Sequence, residues 1–374
     1  MKLILVPSDQ EMNLRDEYEK AFSEATELYV LSAYLTHWNF QKKLNSGCRK
    51  FRLIVGTDFG ITRKQALYDA LKWVPRNQKC NFLAVDKISG FHPKVAFWKD
   101  KNNEFHCVIG SSNQTHAAFN TNFEANAVAE ISSIDFMKSA KWVQDIVNHC
   151  SQVNEQWIAD YKEGNNTPRN NENHKIARNQ LQDFGIHEPT HFKDFLLDRR
   201  RQMRAYSDAR SDFIELVEEC AAGQLSSHDF YRDFTNLWGK DHYISFQSDA
   251  WKRRGKSSSF SEICRSLVEI LSTKDVDLDD VVRVELDRLD DLKIETRKSL
   301  FTEILCKEFP NQFPVWNARI EKRVAYPILA FPPRSSFGSK YIHMAREMRR
   351  LVKCEDSPVN DLAELDLLIG LQDG

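Results

Sequence analysis

Short apolar runs alternate with amphipathic helical patterns from the start of the chain to about residue 163. KLILV, ELYVLSAYL, FRLIVG and NFLAV have the length and the apolar character of strands. NLRDEYEKAFSEA and the stretch running through ALYDALKWV carry apolar residues at helical spacing instead, and Thr62 with Gln65 fits a capping box for the second of these helices. This alternation predicts an α/β domain with a mixed sheet flanked by helices.

The same alternation continues toward the end of this region. Apolar runs predict strands over residues 91–98 and 104–110, followed by a helical start near Thr115. A further strand is predicted over 123–131, and a single long helix over 134–162. These elements complete the predicted sheet and its helical cover.

The second half of the chain has a different pattern. Residues 163–175, EGNNTPRNNENHK, are rich in Asn with Gly and Pro and predict an exposed linker. From Ile176 onward apolar residues recur at helical spacing, as in FSEICRSLVEILS. We therefore expect an α/β domain over 1–163, a linker over 164–175 and a mostly α-helical domain over 176–374.

Composition and charge limit the class of protein but do not indicate a function. The chain has 374 residues, 41% of them hydrophobic, and a formal net charge of -2, which argues against a uniformly basic nucleic-acid coat. The eight cysteines are scattered singly, which disfavours a zinc cluster or a disulfide framework. No run approaches the ~20 apolar residues of a membrane span, and the first residues lack a signal peptide's apolar region. We expect a soluble cytoplasmic protein that does not bind membranes.

Two short motifs carry the chemistry. On a strand, His92 and Lys94 point to the same face because side chains alternate with period two. The second predicted strand ends in Gly110-Ser111-Ser112-Asn113, just before a helical start, and offers N–H groups, a hydroxyl and an amide to an anion. An imidazole can attack phosphorus or protonate a leaving oxygen, while Lys94, Ser111 and Asn113 hold the phosphate oxygens. This set predicts a phosphate-processing site that requires no metal and no cofactor.

Glu124 extends the same site. Along FEANAVAE, Glu124 and Asn126 share the strand face opposite Phe123 and Ala125. A carboxylate that accepts from the far nitrogen of an imidazole fixes its tautomer and strengthens it as a nucleophile. We predict this role for Glu124 toward His92.

These motifs resemble the signature of the phospholipase D superfamily, in its nuclease branch with one motif per chain. VGTDFGITRKQAL, residues 55–67, is similar to the segment before the site in metal-independent restriction endonucleases of that superfamily. The resemblance covers about residues 1–160 and implies that His92 attacks the phosphodiester and forms a covalent phosphohistidine. The superfamily often has an aspartate five residues after the lysine, where this chain has Lys99 followed by Asp100.

The mechanism needs a second histidine to protonate the leaving oxygen. His191-Phe192-Lys193 through Asp198 matches the motif formally, but it lies in a helical pattern where residues two apart diverge, and no Gly-Ser-x-Asn turn follows. His37, His106, His116 and His149 lack partners at metal-like spacing, so ordinary structural roles are favoured. The completing histidine is therefore expected from a second copy in a two-fold homodimer.

Three basic stretches in the second half could meet phosphates: residues 198–204, 251–256 and 345–353. The middle one combines an aromatic that could stack on a base with cationic side chains. Its residues are Trp251, Lys252, Arg253, Arg254 and Lys256. The other two are typical of charged, solvated helix faces.

The sequence thus predicts a homodimeric, metal-independent endonuclease acting on nucleic acid, DNA more than RNA. Residues 309–323 resemble segments of helical domains attached to bacterial defence nucleases, which favours restriction or antiphage defence, with other defence subunits as possible partners. Two alternatives stay open. One is a lipid phosphodiesterase or phosphatidyl transferase, and the other is a non-catalytic, dimerising nucleic-acid-binding subunit.

Overall fold

The chain divides into two compact units, each with its own core. The computed structural model describes residues 1–7, 13–164, 185–239, 244–246, 258–325, 329–354 and 357–373. The first unit contains the described residues up to 164 together with Pro332–Ser339, and the second contains the rest. Part of the expected linker, residues 165–175, lies outside the described residues.

One eight-stranded mixed sheet organises the first unit, in the order β1-β7-β6-β5-β2-β3-β4-β8. Its strands are β1 Lys2–Val6, β2 Ala25–Ser32, β3 Lys50–Gly56, β4 Phe82–Val85, β5 Lys94–Asp100, β6 Phe105–Gly110, β7 Glu124–Glu130 and β8 Cys150–Gln152. The β2–β3 and β3–β4 pairs are parallel, and the other pairs are antiparallel. The predicted mixed sheet is confirmed.

Helices cover both faces of this sheet because both faces are apolar. They are α1 Leu14–Glu24, α2 Lys64–Trp73, α3 His116–Asn120, α4 Ser133–Val147 and α5 Glu155–Asp160. In β2, Leu28 and Val30 enter the core under α1 and α2, while Tyr29 and Leu31 enter the core under α4. Because side chains alternate along a strand with period two, β2 contributes apolar side chains to two separate cores.

Two local predictions are wrong. The expected helix over 134–162 is two helices, α4 and α5, separated by the edge strand β8. Helix α2 begins at Lys64 and has no side-chain cap from Arg63. Thr62 is fully buried, and its hydroxyl donates to the Gly56 carbonyl at 2.7 Å and accepts from the Leu35 amide at 3.1 Å. Tertiary contacts thus replace the predicted cap.

The second unit is helical in its described part, which confirms the predicted α-helical domain. From residue 192 onward, the described α-helices are α6 Phe192–Ala221, α7 Ser227–Gly239, α8 Phe260–Leu271, α9 Leu278–Asp291, α10 Ser299–Glu308, α11 Ala318–Ile320, α12 Phe337–Val352 and α13 Leu362–Gly370. All eight cysteines are free thiols, and seven of them are buried. Within the described residues, no helix is both long and apolar enough to cross a membrane.

Candidate active site

His92 and Lys94 meet at one end of the sheet. His92 lies two residues before β5 rather than on a strand, so the predicted strand start at residue 91 is wrong, yet the two side chains are together. The Lys94 ammonium donates to the His92 Nδ1 at 2.9 Å and to the His92 carbonyl at 3.1 Å. The same ammonium lies 3.3 Å from the His92 Nε2, so both ring nitrogens are within reach of Lys94.

The glycine-serine turn follows β6 at the same end. Gly110 pairs with Asn126 of β7, and a Cβ at Gly110 would lie 2.2 Å from the Asn126 Oδ1, so the close approach of the two strands requires glycine. The Ser111 hydroxyl donates to Glu124 and accepts from the Ala125 amide at 3.1 Å. Ser111 and Glu124 thus form one exposed, hydrogen-bonded pair.

Asn113 is held by the segment that begins at the end of β2. Its Oδ1 accepts from the Tyr34 amide at 3.1 Å and lies 3.5 Å from the Ser32 hydroxyl, which donates to the Tyr34 carbonyl at 2.8 Å. Because its oxygen is occupied, the side chain is oriented, and its NH₂ group is the part with donors to offer a ligand. Ser32 is opposite Lys94 in the β2–β5 register, so the motifs share one sheet end.

Tyr34 and Asp58 are neighbours that the sequence motifs do not contain. The Tyr34 ring packs edge-on against His92, with ring centroids 5.7 Å apart. Partial burial, reinforced by the nearby Asp58 carboxylate, raises the pKa of the Tyr34 hydroxyl. Asp58 in turn accepts from the Gly90 amide at 2.7 Å, which ties the loop before His92 to the segment after β3.

Electrostatics link Lys94 to the carboxylate across the site. Desolvation lowers the pKa of Lys94, and the charge of Glu124 opposes that shift. The Glu124 carboxylate accepts from the Ser111 hydroxyl and, at 3.2 Å, from the side-chain amide of Asn122. These bonds place Glu124 in the site, while its role in orienting His92 stays a prediction.

Two other residues named from the sequence have structural partners. Asn126 is 3% exposed, and its side-chain amide donates to the Ser112 hydroxyl at 2.9 Å. This buried hydrogen bond stabilises the Gly110–Asn113 turn. Asp100 lies at the opposite end of β5, where its Oδ1 accepts from the amides of Asn102 and Glu104. With Glu104 and His106 it forms a group of side chains that could hold a metal ion.

The basic stretches of the second unit are largely paired. Arg199 binds Asp366, Arg200 binds Glu364 and Arg201 binds Asp198. In the last stretch, Arg346 and Arg349 bind Asp279. The residues of the middle stretch, Trp251, Lys252, Arg253, Arg254 and Lys256, lie outside the described residues.

His191 immediately precedes α6, so Lys193 and Asp198 are on a helix as predicted.

This architecture, a mixed sheet with helices on both faces and a His-x-Lys and Gly-Ser-x-Asn pair at one sheet end, is that of a phospholipase D-like domain. Residues 12–156 match the family model described as the NgoFVII restriction endonuclease N-terminal PLD domain. Residues 12–156 thus match a phospholipase D-superfamily domain of the endonuclease type, which confirms the resemblance that the sequence motifs indicate.

Two solved structures are similar to part of this chain. NucT from Helicobacter pylori is 18% identical, with a TM-score of 0.31, over 41% of this chain and 98% of that one. Nuc from Salmonella typhimurium, a phospholipase D family member, is 17% identical, with a TM-score of 0.30, over 41% of this chain and 96% of that one. No curated protein sequence matches significantly.

Proposed function

We propose that this protein hydrolyses phosphodiester bonds of nucleic acid without a metal ion, through a covalent phosphohistidine. The observation that carries the proposal is the convergence of His92, Lys94, Ser111 and Asn113 at one end of the sheet. An imidazole beside an ammonium, a hydroxyl and an oriented amide supplies a nucleophile and donors for phosphate oxygens.

The bound phosphodiester would change the role of Lys94. In the free state its ammonium donates to His92 Nδ1, and an anionic phosphate competes for that ammonium. An imidazole nitrogen of His92 then attacks phosphorus, and the P–O bond to the leaving nucleotide breaks. The leaving oxygen takes a proton from a second histidine. Water next attacks phosphorus, gives its proton to that second histidine, and the P–N bond to His92 breaks.

The mechanism needs two histidines, and the described residues bring one imidazole beside Lys94, so this copy supplies one half of the site (a half-site). We infer that the second histidine is His92 of another copy. An apolar face borders this site. Leu3, Leu5 and Ile109 are 59%, 58% and 47% exposed, and they lie on one face of β1 and β6 through their pairing with Ala125 and Ala127 of β7. Exposed apolar patches of this kind mark protein interfaces.

The position of this face supports a homodimer. Ile109 directly precedes the Gly110 turn, and Phe123, which is 94% exposed, directly precedes Glu124. A second copy seated here would cover apolar side chains next to both motifs and bring two half-sites together about a two-fold axis. The helical second unit would then recognise the substrate or a partner.

The proposed setting is bacterial restriction or antiphage defence, with DNA as the favoured substrate. The matching family model is named for a restriction endonuclease, which supports a nucleic-acid substrate. An unrestrained nuclease would damage its host, so we propose restraint by the helical unit, by a partner or by substrate modification.

The decisive test is cleavage of labelled single- and double-stranded DNA and RNA in excess EDTA. Wild type, His92→Ala and the matched surface control His149→Ala are compared, and a lipid vesicle substrate is included. We expect EDTA-resistant nucleic-acid cleavage by wild type and the control, and none by His92→Ala. Cleavage that needs a metal or survives His92→Ala contradicts the mechanism. Cleavage of vesicles alone indicates a lipid phosphodiesterase, and DNA binding without cleavage indicates a binding subunit.

A further inference from the structure

The β5–β6 hairpin carries a second group of chemically active side chains, at the end remote from His92. Asp100 is the last residue of β5, Glu104 is in the turn and His106 is the second residue of β6. One nitrogen or oxygen atom from each lies within 4.8 Å of the other two. The phosphodiesterase chemistry proposed above does not use them.

Two of these side chains are already oriented. The Asp100 Oδ1 accepts from the Asn102 amide at 2.8 Å and from the Glu104 amide at 2.9 Å, which leaves Oδ2 directed at His106. The His106 ring stacks on the buried Trp98 ring, with centroids 5.1 Å apart and planes 24° apart. Fixed ligand orientation lowers the entropic cost of binding an ion.

The separation of the two oriented atoms is informative. The Asp100 Oδ2 and His106 Nε2 are 3.4 Å apart, longer than a charge-assisted hydrogen bond of about 2.7–2.9 Å. Two ligands of a tetrahedral zinc ion, each about 2.0–2.1 Å from the metal, lie about 3.3 Å apart. The 3.4 Å separation is that of a long hydrogen bond, and it also matches the spacing of two ligands on one zinc ion.

We propose that this hairpin binds one first-row divalent cation, with Zn²⁺ as the best match to its ligands. His106 Nε2, Asp100 Oδ2 and the exposed Glu104 carboxylate would be the three protein ligands, with water in the fourth position. The seven-residue strand β5 places this site about 20 Å from Lys94, at about 3.4 Å per residue. The ion would tie the hairpin together and take no part in phosphodiester cleavage.

The test uses tag-free, full-length protein stripped with EDTA and then desalted. Zn²⁺ is titrated by calorimetry, and Co²⁺ is added separately to read its ligand-field absorption. Wild type and His149→Ala should bind one ion. Glu104→Gln and His106→Ala should bind it more than about 100-fold more weakly, since outer-shell partners alone are worth 10–100-fold. Failure of the wild type to bind either ion, or unchanged binding in both variants, overturns the proposal.

Cleavage assays separate this site from the catalytic one. Because the ion is structural, His106→Ala should keep its EDTA-resistant cleavage while losing the zinc-induced rise in thermal midpoint. A folded His106→Ala protein that binds zinc normally contradicts the assigned ligand. One that loses cleavage contradicts the assigned structural role, whether or not His92 proves to be the nucleophile.

Discussion

In the proposed reaction, Lys94 binds two partners in turn, His92 and a phosphate oxygen. Its ammonium holds the His92 Nδ1 in the free protein, and the proposed reaction needs the same charge on a phosphate oxygen. A flexible, compact ammonium can move between these positions, whereas a planar guanidinium has fixed donor directions. Burial lowers the pKa of Lys94, so its charge is lost at a lower pH than that of an exposed lysine.

Lys94→Arg is expected to change the pH profile of cleavage. In the wild type, kcat/KM should fall as pH rises through the lowered pKa of Lys94, because the neutral amine no longer binds phosphate. In Lys94→Arg the alkaline fall should move to higher pH, since arginine stays charged, while kcat at neutral pH drops about 10-fold or more from lost geometry. Profiles from about pH 7 to about pH 11 measure this. Lys99→Arg on the same strand is the control, and coincident profiles for wild type and Lys94→Arg would exclude the assigned role.

The motif residues of the site could be predicted from the sequence, but the residues that hold them in place could not. His92, Lys94, Ser111 and Asn113 stand at recognisable spacing. Tyr34 comes from a segment that reaches the site through the register in which Ser32 faces Lys94. Register depends on packing of the whole sheet, so local spacing carries no sign of it.

Among the elements, charged helix faces show the limits of sequence patterns. The stretch 345–353 reads as a basic surface, yet Arg346 and Arg349 of α12 both bind the buried Asp279 of α9, at 2.9 and 3.0 Å. In the same way, the pattern predicts Thr62 as a helix cap, but its hydroxyl joins the end of β3 to the Leu35 segment instead. Helix and strand types followed from periodicity, whereas these partners depend on which elements become neighbours.

Asp279→Asn should destabilise the protein by about 3 kcal/mol, because it leaves two guanidinium groups without their buried partner. Burial alone would raise the pKa of Asp279, but Arg349 and Arg346 outweigh it and hold that pKa well below its usual range. The stabilisation is therefore present above the unfolded pKa of about 3.9 and lost as pH falls below it. Urea titrations at about pH 7 and about pH 3 measure both, with Asp212→Asn as the exposed control. An equal deficit at both pH values would argue against an ionic cause.

For the whole molecule, the apolar face of β1, β6 and β7 is the proposed dimer interface. Leu5→Glu places a charge on this face without removing a buried side chain, since Leu5 is 58% exposed. We expect a folded monomer by light scattering and circular dichroism, with cleavage reduced about 100-fold or more because each half-site lacks its partner histidine. Leu197→Glu, at a 52% exposed position in the helical unit, should remain dimeric and active. A dimeric, active Leu5→Glu protein would place the interface elsewhere.

Subunit mixing refines the same prediction. After subunits of wild type and His92→Ala exchange, cleavage should fall with the square of the wild-type fraction, because one centre needs both imidazoles. A linear fall would mean that each subunit is catalytically self-sufficient.

The pairing of the first strand with β7 also sets when the domain can be completed. Lys2 lies opposite Val128 and Val6 lies opposite Glu124, so β1 has no partner strand until residues beyond 120 have been synthesised. Pairing of such distant segments is a slow, late step in folding. Neither the Glu124 side of the site nor the Leu3 and Leu5 face exists before then. Under the proposed function, a nascent chain that has not reached this point lacks a complete site, and nuclease activity would begin only after the strands of the first unit have been synthesised and paired.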